Sequence, residues 1–206
     1  MATAVLIIGR SGSGKSTSLR NFKDGEVGVI KVISKPLPFK SDLKSITTDD
    51  YAQIKGILKV AHSKSLVIDD ANYLMTNQFM RGHSSTGAGN GVFSFYNIIG
   101  DNFWSLINYV IALPNDKVIY IIMHEDESDN GKIKPKSIGK MLDEKVCIEG
   151  MFSVVLRCVY ENGRHIFRTQ TDGLDVCKSP IGMFDSEEID NDLKFVDETI
   201  RKYYEI

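Results

Sequence analysis

Residues 4–16 read AVLIIGRSGSGKS, an apolar run followed at once by a glycine-rich octapeptide at 9–16. A short apolar run of this kind is typical of a buried strand, and the pattern of residues 17–22 predicts a helix. The octapeptide between them has the spacing G-x-x-x-x-G-K-S, the P-loop pattern, which requires a strand before it and a helix after it. We therefore expect an α/β fold whose first strand ends in this loop.

The residue types of the octapeptide suit the binding of a polyphosphate. Its three glycines tolerate positive φ and let the backbone approach a ligand without a Cβ clash. N–H groups turned inward, together with the positive end of the following helix, attract anions. Lys15 can reach the β- and γ-phosphate oxygens, and the Ser16 hydroxyl can coordinate Mg²⁺. We therefore expect ATP and Mg²⁺ as cofactors, with the nucleotide bound through Gly9, Arg10, Ser11, Gly12, Ser13, Gly14, Lys15, Ser16 and Thr17.

Length and composition exclude several classes of protein. The chain has 206 residues, of which 42% are apolar, and this suits one α/β domain over residues 1–206. The formal net charge of −2 argues against a uniformly basic DNA-coating protein but permits a local basic groove. No apolar run is long enough to span a bilayer, and no signal-peptide pattern is visible. Three cysteines without metal-like spacing are typical of a reducing compartment, so we expect a cytoplasmic protein.

The rest of the chain alternates between predicted strands and helices. An Asn162-Gly163 pair between two β-rich runs predicts an antiparallel hairpin at about 152–169, and an acidic helix is expected at about 186–206. Apolar strands that alternate with helices predict a mostly parallel sheet with helices on both faces and the hairpin at one edge. Further strands are predicted at 27–33, 65–68 and 118–123, and helices at 51–62, 73–80, 92–113 and 137–145. A flexible loop is predicted at 82–91, and a polar, charged stretch at 126–136 with its turn at 129–131.

Two consecutive acids, Asp69 and Asp70, follow the apolar strand at 65–68. An aspartate at the end of a strand beside a P-loop can hold Mg²⁺ together with the P-loop serine, and we assign Asp69 this role beside Ser16. Asp70 stands where many ATPases carry a glutamate that orients the attacking water, although its side chain is shorter by one methylene. The alternative is that both acids only cap the helix that follows.

His124 ends the predicted strand at 118–123, which we expect to lie between the P-loop strand and the Asp69 strand. A polar residue there can contact the γ-phosphate or its water; the alternative is an ordinary histidine at a strand end. Glu125 is interpreted as a solvated loop acid. Hydrolysis also needs a cation against the developing negative charge, often from a neighbouring subunit. The candidates are Lys132, Lys134, Lys136, Lys140, Arg81, Arg157, Arg164 and Arg168.

Aromatic residues on the helix predicted at 92–113 invite comparison with base-stacking platforms. Their helical spacing is more typical of core packing, so we interpret them as part of the core. They are Phe93, Phe95, Tyr96 and Trp104.

Beyond the P-loop, several segments resemble a family of phage-encoded RecA-like ATPases linked to single-strand DNA annealing and recombination. The resemblance extends from the first strand to about residue 152. The segments are KPLPF at 35–39, VIDD at 67–70, YLM at 73–75, NQFM at 77–80, IGKMLDEK at 138–145 and EGMF at 149–152.

The resemblance implies a RecA-like P-loop NTPase that binds ATP, assembles with copies of itself and acts on single-stranded DNA. In RecA-like assemblies, lysines of a neighbouring subunit can reach the γ-phosphate. Lys134 and Lys136 are similarly placed after the fourth strand, so we favour them as catalytic residues acting in trans, beside Lys15, Asp70 and His124. The loop at 82–91 and the lysines at 132–140 are the candidates for DNA contact.

Three functions remain open from the sequence. The first is a DNA-dependent ATPase in phage recombination or replication. The second is a nucleotide kinase, which shares the P-loop but usually needs an arginine-rich lid, and residues 125–136 contain no arginine. The third is a non-catalytic nucleotide switch that controls a protein partner, because Asp70 replaces the usual glutamate.

Overall fold

The computed structural model of the protein describes residues 1–85, 90–139, 142 and 145–206. Within them, nine strands join in one mixed sheet and four α-helices pack against it. The strands are β1 (Thr3–Gly9), β2 (Val27–Lys31), β3 (Ser45–Thr47), β4 (Ser65–Asp69), β5 (Val118–Glu127), β6 (Ile133–Pro135), β7 (Val154–Glu161), β8 (Arg164–Arg168) and β9 (Glu188–Asp190). The helices are α1 (Tyr51–Val60), α2 (Asn72–Gly82), α3 (Asn90–Ile111) and α4 (Leu193–Tyr204), with short 3-10 helices at Ser16–Asn21, His83–Ser85 and Ile148–Met151.

The order of the strands brings the predicted site residues to one edge of the sheet. The order is β3-β2-β4-β5-β1-β7-β8-β9, with β6 paired to β5 outside this path. As predicted, β5 lies between β1 and β4, and all three are parallel. Gly9 stands opposite His124, and Lys31 stands opposite Asp69. Because the carboxyl ends of parallel strands lie on the same side of the sheet, the P-loop, His124 and Asp69 lie close together there. Ligands bind at this side in such sheets.

Helices cover both faces of the sheet, which confirms the predicted α/β fold class. On one face, α1, α2 and α3 bury side chains such as Leu58, Leu74 and Phe103. On the other, the 3-10 helix Ser16–Asn21 and α4 bury Leu19 and Val196. Residues 5–8 of β1 point alternately into the two cores and are fully buried. This two-sided burial explains why the central strands are continuous apolar runs.

The antiparallel edge agrees with the prediction up to the last helix. β7 and β8 form the expected hairpin, and Asn162 and Gly163 have φ of 52° and 76°, the positive values of a type I′ turn. The last helix begins later than expected. Residues 188–190 pair with β8 as the short strand β9, and the Asp192 carboxylate caps α4 by accepting from the N–H groups of Lys194 and Phe195. The prediction of a helix from about 186 was therefore wrong at its start.

The polar segment at 126–136 turns at the predicted residues 129–131, but it is a β-hairpin, and its strand pairing was not predicted. β5 continues to Glu127 and β6 pairs antiparallel with it. In the turn, Ser128 N donates to Lys132 O, and Gly131 has φ of 77°. Residues 137–139 are not helical, and Lys140 and other parts of the helix predicted at 137–145 lie outside the described residues. One further strand, β3, was not predicted and pairs parallel with β2.

The connection between α2 and α3 is shorter than the loop predicted at 82–91. Gly82 is the last residue of α2, His83–Ser85 form a 3-10 helix, and α3 begins at Asn90. Residues 86–89 of the predicted loop lie outside the described part of the chain. No described helix is long and apolar enough to cross a membrane.

Two of the four aromatic residues assigned to the core of α3 are exposed. Phe93 is 71% and Trp104 is 48% exposed. Phe95 does pack against the core, and Tyr96 stacks on Phe79 with 5.5 Å between ring centroids. The prediction of core packing was therefore wrong for Phe93 and Trp104, because α3 buries only the stripe that includes Phe103 and Leu106.

A buried carboxylate anchors α4 to the sheet. Asp197 Oδ1 accepts hydrogen bonds from Ser65 Oγ at 2.7 Å and from Tyr120 Oη at 2.8 Å. Its Oδ2 accepts from Arg201 Nε at 2.8 Å, and the same guanidinium donates to Ser65 Oγ. Burial, together with the neighbouring Asp197 charge, raises the pKa of Tyr120 well above its ordinary value, so the phenol stays a donor.

The first prediction concerns this anchor. Asp197→Ala leaves Tyr120 and Arg201 without their buried acceptor, so we expect a loss of about 3–5 kcal/mol in the free energy of unfolding. Urea denaturation measures it. The neighbouring exposed Glu198→Ala is the matched control and should change stability by less than about 0.5 kcal/mol. Equal stability of the two variants would contradict the anchoring role.

Candidate nucleotide-binding site

The backbone of the P-loop has the shape that its glycines were predicted to permit. Gly12 and Gly14 have φ of 80° and 103°, values that side chains rarely tolerate. A Cβ on Gly14 would lie 2.8 Å from Nδ1 of His165, so space as well as conformation requires glycine there. After the loop, Ser16–Asn21 form a 3-10 helix, one residue earlier than the helix predicted at 17–22, and Ser18 N donates to Gly14 O at 3.0 Å.

Two side chains of the β7–β8 hairpin contact the backbone of the P-loop. The carbonyl of Ser13 accepts from Cys158 Sγ at 3.0 Å and lies 2.7 Å from His165 Nδ1. Because a carbonyl only accepts, that ring nitrogen carries the proton. Burial raises the pKa of Cys158 to about 11, so its thiol stays neutral and can donate. Sequence reasoning missed both contacts, since these residues lie some 150 positions beyond the loop they support.

The side chain of Lys15 contacts the backbone of the P-loop. Its Nζ donates to Gly9 O and Arg10 O, both at 2.8 Å, and the residue is 6% exposed. Burial lowers the pKa of Lys15, and the nearby Asp69 and Asp70 oppose this shift. An ammonium has three donors, and in the described structure these two carbonyls take two of them, which leaves one for a phosphate oxygen.

The side chains of Ser16 and Asp69 are in contact, as predicted for a metal-binding pair. Ser16 Oγ lies 2.9 Å from Oδ2 and 3.1 Å from Oδ1 of Asp69, which is 2% exposed. Burial, and then the charge of Asp70, raises the pKa of Asp69. A buried carboxylate destabilised in this way, next to a serine hydroxyl, is the oxygen donor set that Mg²⁺ prefers. Ser16 and Asp69 therefore fit a magnesium ion, which would neutralise charge on a bound polyphosphate.

Asp70 is held by two basic side chains. Lys35 Nζ forms a close ion pair with Oδ2, and His124 Nε2 lies 3.6 Å from Oδ1. Burial alone would raise the pKa of Asp70, but the contacts with His124 and Lys35 and the charge of Lys35 lower it overall. The backbone has φ of 59°, an uncommon conformation for aspartate. No side chain caps α2, so the alternative that these acids serve as caps is not supported.

His124 is brought to Asp70, as its predicted position between β1 and β4 implied. It lies within β5 rather than at its end, because the strand continues to Glu127. The backbone N–H of His124 donates to Asn72 Oδ1 at 3.1 Å. The His124 ring contacts the Tyr73 ring edge-on, with 5.9 Å between the centroids. The start of α2 thus fixes the position of the imidazole. Asn72 and Lys35 are site residues that the sequence reasoning missed.

Arg10 and Glu125 belong to a charged cluster beside the loop. The Glu125 side chain is only 3% exposed, so its interpretation as a solvated acid was wrong. It accepts from Arg157 Nε and Nη2 at 2.9 and 3.0 Å, and Arg10 Nε lies 3.3 Å away. Arg10 also pairs with Glu127 at 3.1 Å. The Arg10 guanidinium therefore contacts acids of β5, and only the backbone of Arg10 is left to bind a phosphate.

Lys134 and Lys136 lie on and just after β6. Lys134 stands opposite Asp126 in the hairpin and is half-buried, whereas Lys136 is exposed. The N–H of Lys136 donates to His124 O at 2.8 Å, so the backbone of this segment is next to the site. Whether the two ammonium groups act on a neighbouring subunit remains a prediction.

The second prediction uses the opposite pKa shifts of the two acids. Asp69 has a raised pKa, so its ionised form opposes folding at pH 7; Asp70 has a lowered pKa, so its ionised form stabilises the fold until the pH falls through that pKa. Asp69→Asn should therefore raise Tm and Asp70→Asn should lower it. Each effect should be on the order of 1 kcal/mol, or about 2–4 °C for a chain of this size.

Calorimetry at pH 7 without nucleotide or Mg²⁺ measures both shifts, and each variant is the matched control of the other. Shifts of the same sign would contradict the assigned electrostatics. Adding Mg²⁺ and ATP should raise the Tm of the wild type but not of Asp69→Asn, because a ligand that binds only the folded state stabilises it.

Comparison with known proteins identifies the family of the chain. A search of curated proteins found no match. A family model described as an AAA domain matches residues 1–181, which is most of the chain and includes the P-loop, Asp69, Asp70 and His124. The chain therefore belongs to the AAA domain family of nucleotide-binding P-loop ATPases.

Proposed function

We propose that the protein is a Mg²⁺-dependent ATP hydrolase that acts with single-stranded DNA in phage recombination or replication, in the cytoplasm of an infected host cell. The observation that carries the catalytic half of this proposal is the bond between Ser16 and the buried Asp69. It joins the P-loop to the acidic strand end and places both beside Lys15 and Asp70.

The chain's own groups can bind and orient the triphosphate. The Lys15 ammonium can exchange its carbonyl partners for phosphate oxygens, which make stronger charge-assisted bonds. Ser16 and Asp69 would hold Mg²⁺, which neutralises phosphate charge when bound. Thr17 follows directly and is half-buried at the start of the 3-10 helix.

Asp70 is the candidate for orienting the attacking water. Its two basic neighbours keep it ionised, which an acceptor of a water proton requires. His124 reaches the same carboxylate and lies opposite the first P-loop residue, Gly9, so it can sense a ligand at both. Asp70 and His124 thus have the roles of catalytic and sensing residues in this proposal.

The single-stranded DNA and the self-assembly rest on the resemblance to RecA-like phage ATPases and on the lysines of the β5–β6 hairpin. Lys132 and Lys136 are exposed, and Lys134 is half-buried between them. We propose that Lys134 and Lys136 supply positive charge to the ATP of a neighbouring subunit, while exposed lysines of the same segment contact the phosphates of DNA.

One observation favours a second candidate, the nucleotide switch. The close Lys35–Asp70 ion pair occupies the carboxylate that would orient water. A protein in which this pair persists with ATP bound would bind nucleotide without hydrolysing it. The nucleotide kinase has no such support, because the arginine-free segment is a β-hairpin in place of a basic lid.

The third prediction tests hydrolysis. Phosphate release from ATP should require Mg²⁺ and rise when single-stranded DNA is added. Lys15→Ala should lower it by at least about 100-fold, since a charged group aimed at the phosphates is removed. Lys59→Ala, an exposed lysine on α1, is the control and should leave the rate unchanged. ATP binding without hydrolysis under all conditions would favour the nucleotide switch. A rate of hydrolysis that does not change with single-stranded DNA would reject the proposed role of DNA.

The fourth prediction tests shared sites. Lys15→Ala lacks the loop lysine but retains the hairpin lysines, whereas the double variant Lys134→Glu, Lys136→Glu has the reverse defect. Each alone should hydrolyse less than about a tenth of the wild-type amount of ATP. Mixing them should restore activity, because some sites combine an intact loop with intact lysines. No recovery on mixing, with both variants still assembling, would contradict action in trans.

A further inference from the structure

A cavity of about 420 Å³ lies directly beside the P-loop on the side away from Asp69. Residues 10–13 of the loop form one wall and residues 157–161 at the end of β7 form the other, with Glu125 between them. Its volume is within the usual range of about 300–1,000 Å³ for small-molecule sites. A larger cavity of about 640 Å³ lies by Ser65, at the opposite edge of the sheet, and its Lys194 and Arg201 already pair with acids.

An exposed aromatic ring stands at the mouth of this cavity. Tyr160 is 59% exposed, although it lies in a paired segment of β7. It is the cross-strand partner of His165, and the two ring centroids are 4.6 Å apart with a tilt of 43°. Because His165 is bonded to Ser13 O, the Tyr160 ring is attached through one intermediate side chain to the phosphate-binding loop.

We infer that this cavity binds the nucleoside part of the bound nucleotide, with the base stacked on Tyr160. The inference rests on the proposed function, since it takes the triphosphate to lie in the P-loop. On the β4 side of the loop, the space is taken by Asp69, Asp70 and the basic partners of Asp70. The nucleoside therefore leaves the loop on the β7 side, where the cavity is open.

The walls of the cavity suit a nucleoside. An aromatic face binds a base by stacking, and this interaction tolerates every base because each has a π-face. The carboxylate of Glu161, held by Arg168 at 3.0 Å, can accept from ribose hydroxyls. Stacking does not depend on base identity, so loss of the ring should weaken the binding of ATP and of GTP together.

Titration calorimetry with a non-hydrolysable ATP analogue and with inorganic tripolyphosphate, both with Mg²⁺, tests the site. Tyr160→Ala should weaken binding of the analogue roughly 5- to 100-fold and that of tripolyphosphate less than about twofold. Tyr160→Phe keeps the ring and should bind both like the wild type. Trp104→Ala removes another exposed aromatic side chain, on α3, and is the matched control.

The outcomes separate this inference from the proposed function. If the wild type binds tripolyphosphate as tightly as the analogue, or if Tyr160→Ala weakens both ligands equally, the nucleoside site is overturned while phosphate binding stands. If the wild type binds neither ligand, the proposed function fails and the inference fails with it. Loss of both ligands in Lys15→Ala, with only the analogue weakened in Tyr160→Ala, supports both.

Discussion

The candidate site depends on the position of β5 between two parallel strands, of which β1 leads into the P-loop and β4 ends in Asp69. Neighbouring strands lie about 4.8 Å apart, so β1 and β4 are separated by roughly 10 Å at their carboxyl ends. The loop that follows β1 covers this distance, and the Ser16 hydroxyl at its end donates to Asp69. The register that pairs Gly9 with His124 also brings the imidazole to Asp70. A slip of one residue would turn these side chains to the opposite face.

Charges around this edge are arranged in two groups with opposite consequences. Asp69 is buried with a hydroxyl as its partner and has a raised pKa, the condition of a carboxylate that gains by meeting a cation. Asp70 is paired with Lys35 and has a lowered pKa, so it stays ionised without a metal. The two neighbouring acids thus have different chemical environments. That difference supports the metal-binding role proposed for Asp69 and the water-orienting role proposed for Asp70.

Local pattern was sufficient for the site residues that are close to a glycine turn or a strand end. The P-loop, Asp69 and the Asn162-Gly163 turn each have a signature within a few residues, and the structure contains all three features. It was insufficient where distant segments meet. Glu125 follows a strand and resembles a loop acid, but Arg157 from β7 buries it. Lys35 lies in a proline-containing connection, and only the neighbouring position of β2 and β4 brings it to Asp70.

The sequence by itself determined that a strand would end in a phosphate-binding loop, that a mostly parallel sheet would carry it, and that an aspartate would lie nearby. These are consequences of backbone conformation and of hydrophobic period, which act over a few residues. The tertiary structure alone decided which groups surround the loop: His165 and Cys158 behind it, Tyr160 beside it, and Lys35 on Asp70. The physical reason is that hydrogen bonds and ion pairs depend on distances between atoms, and segments far apart in the chain acquire those distances only through sheet order and packing.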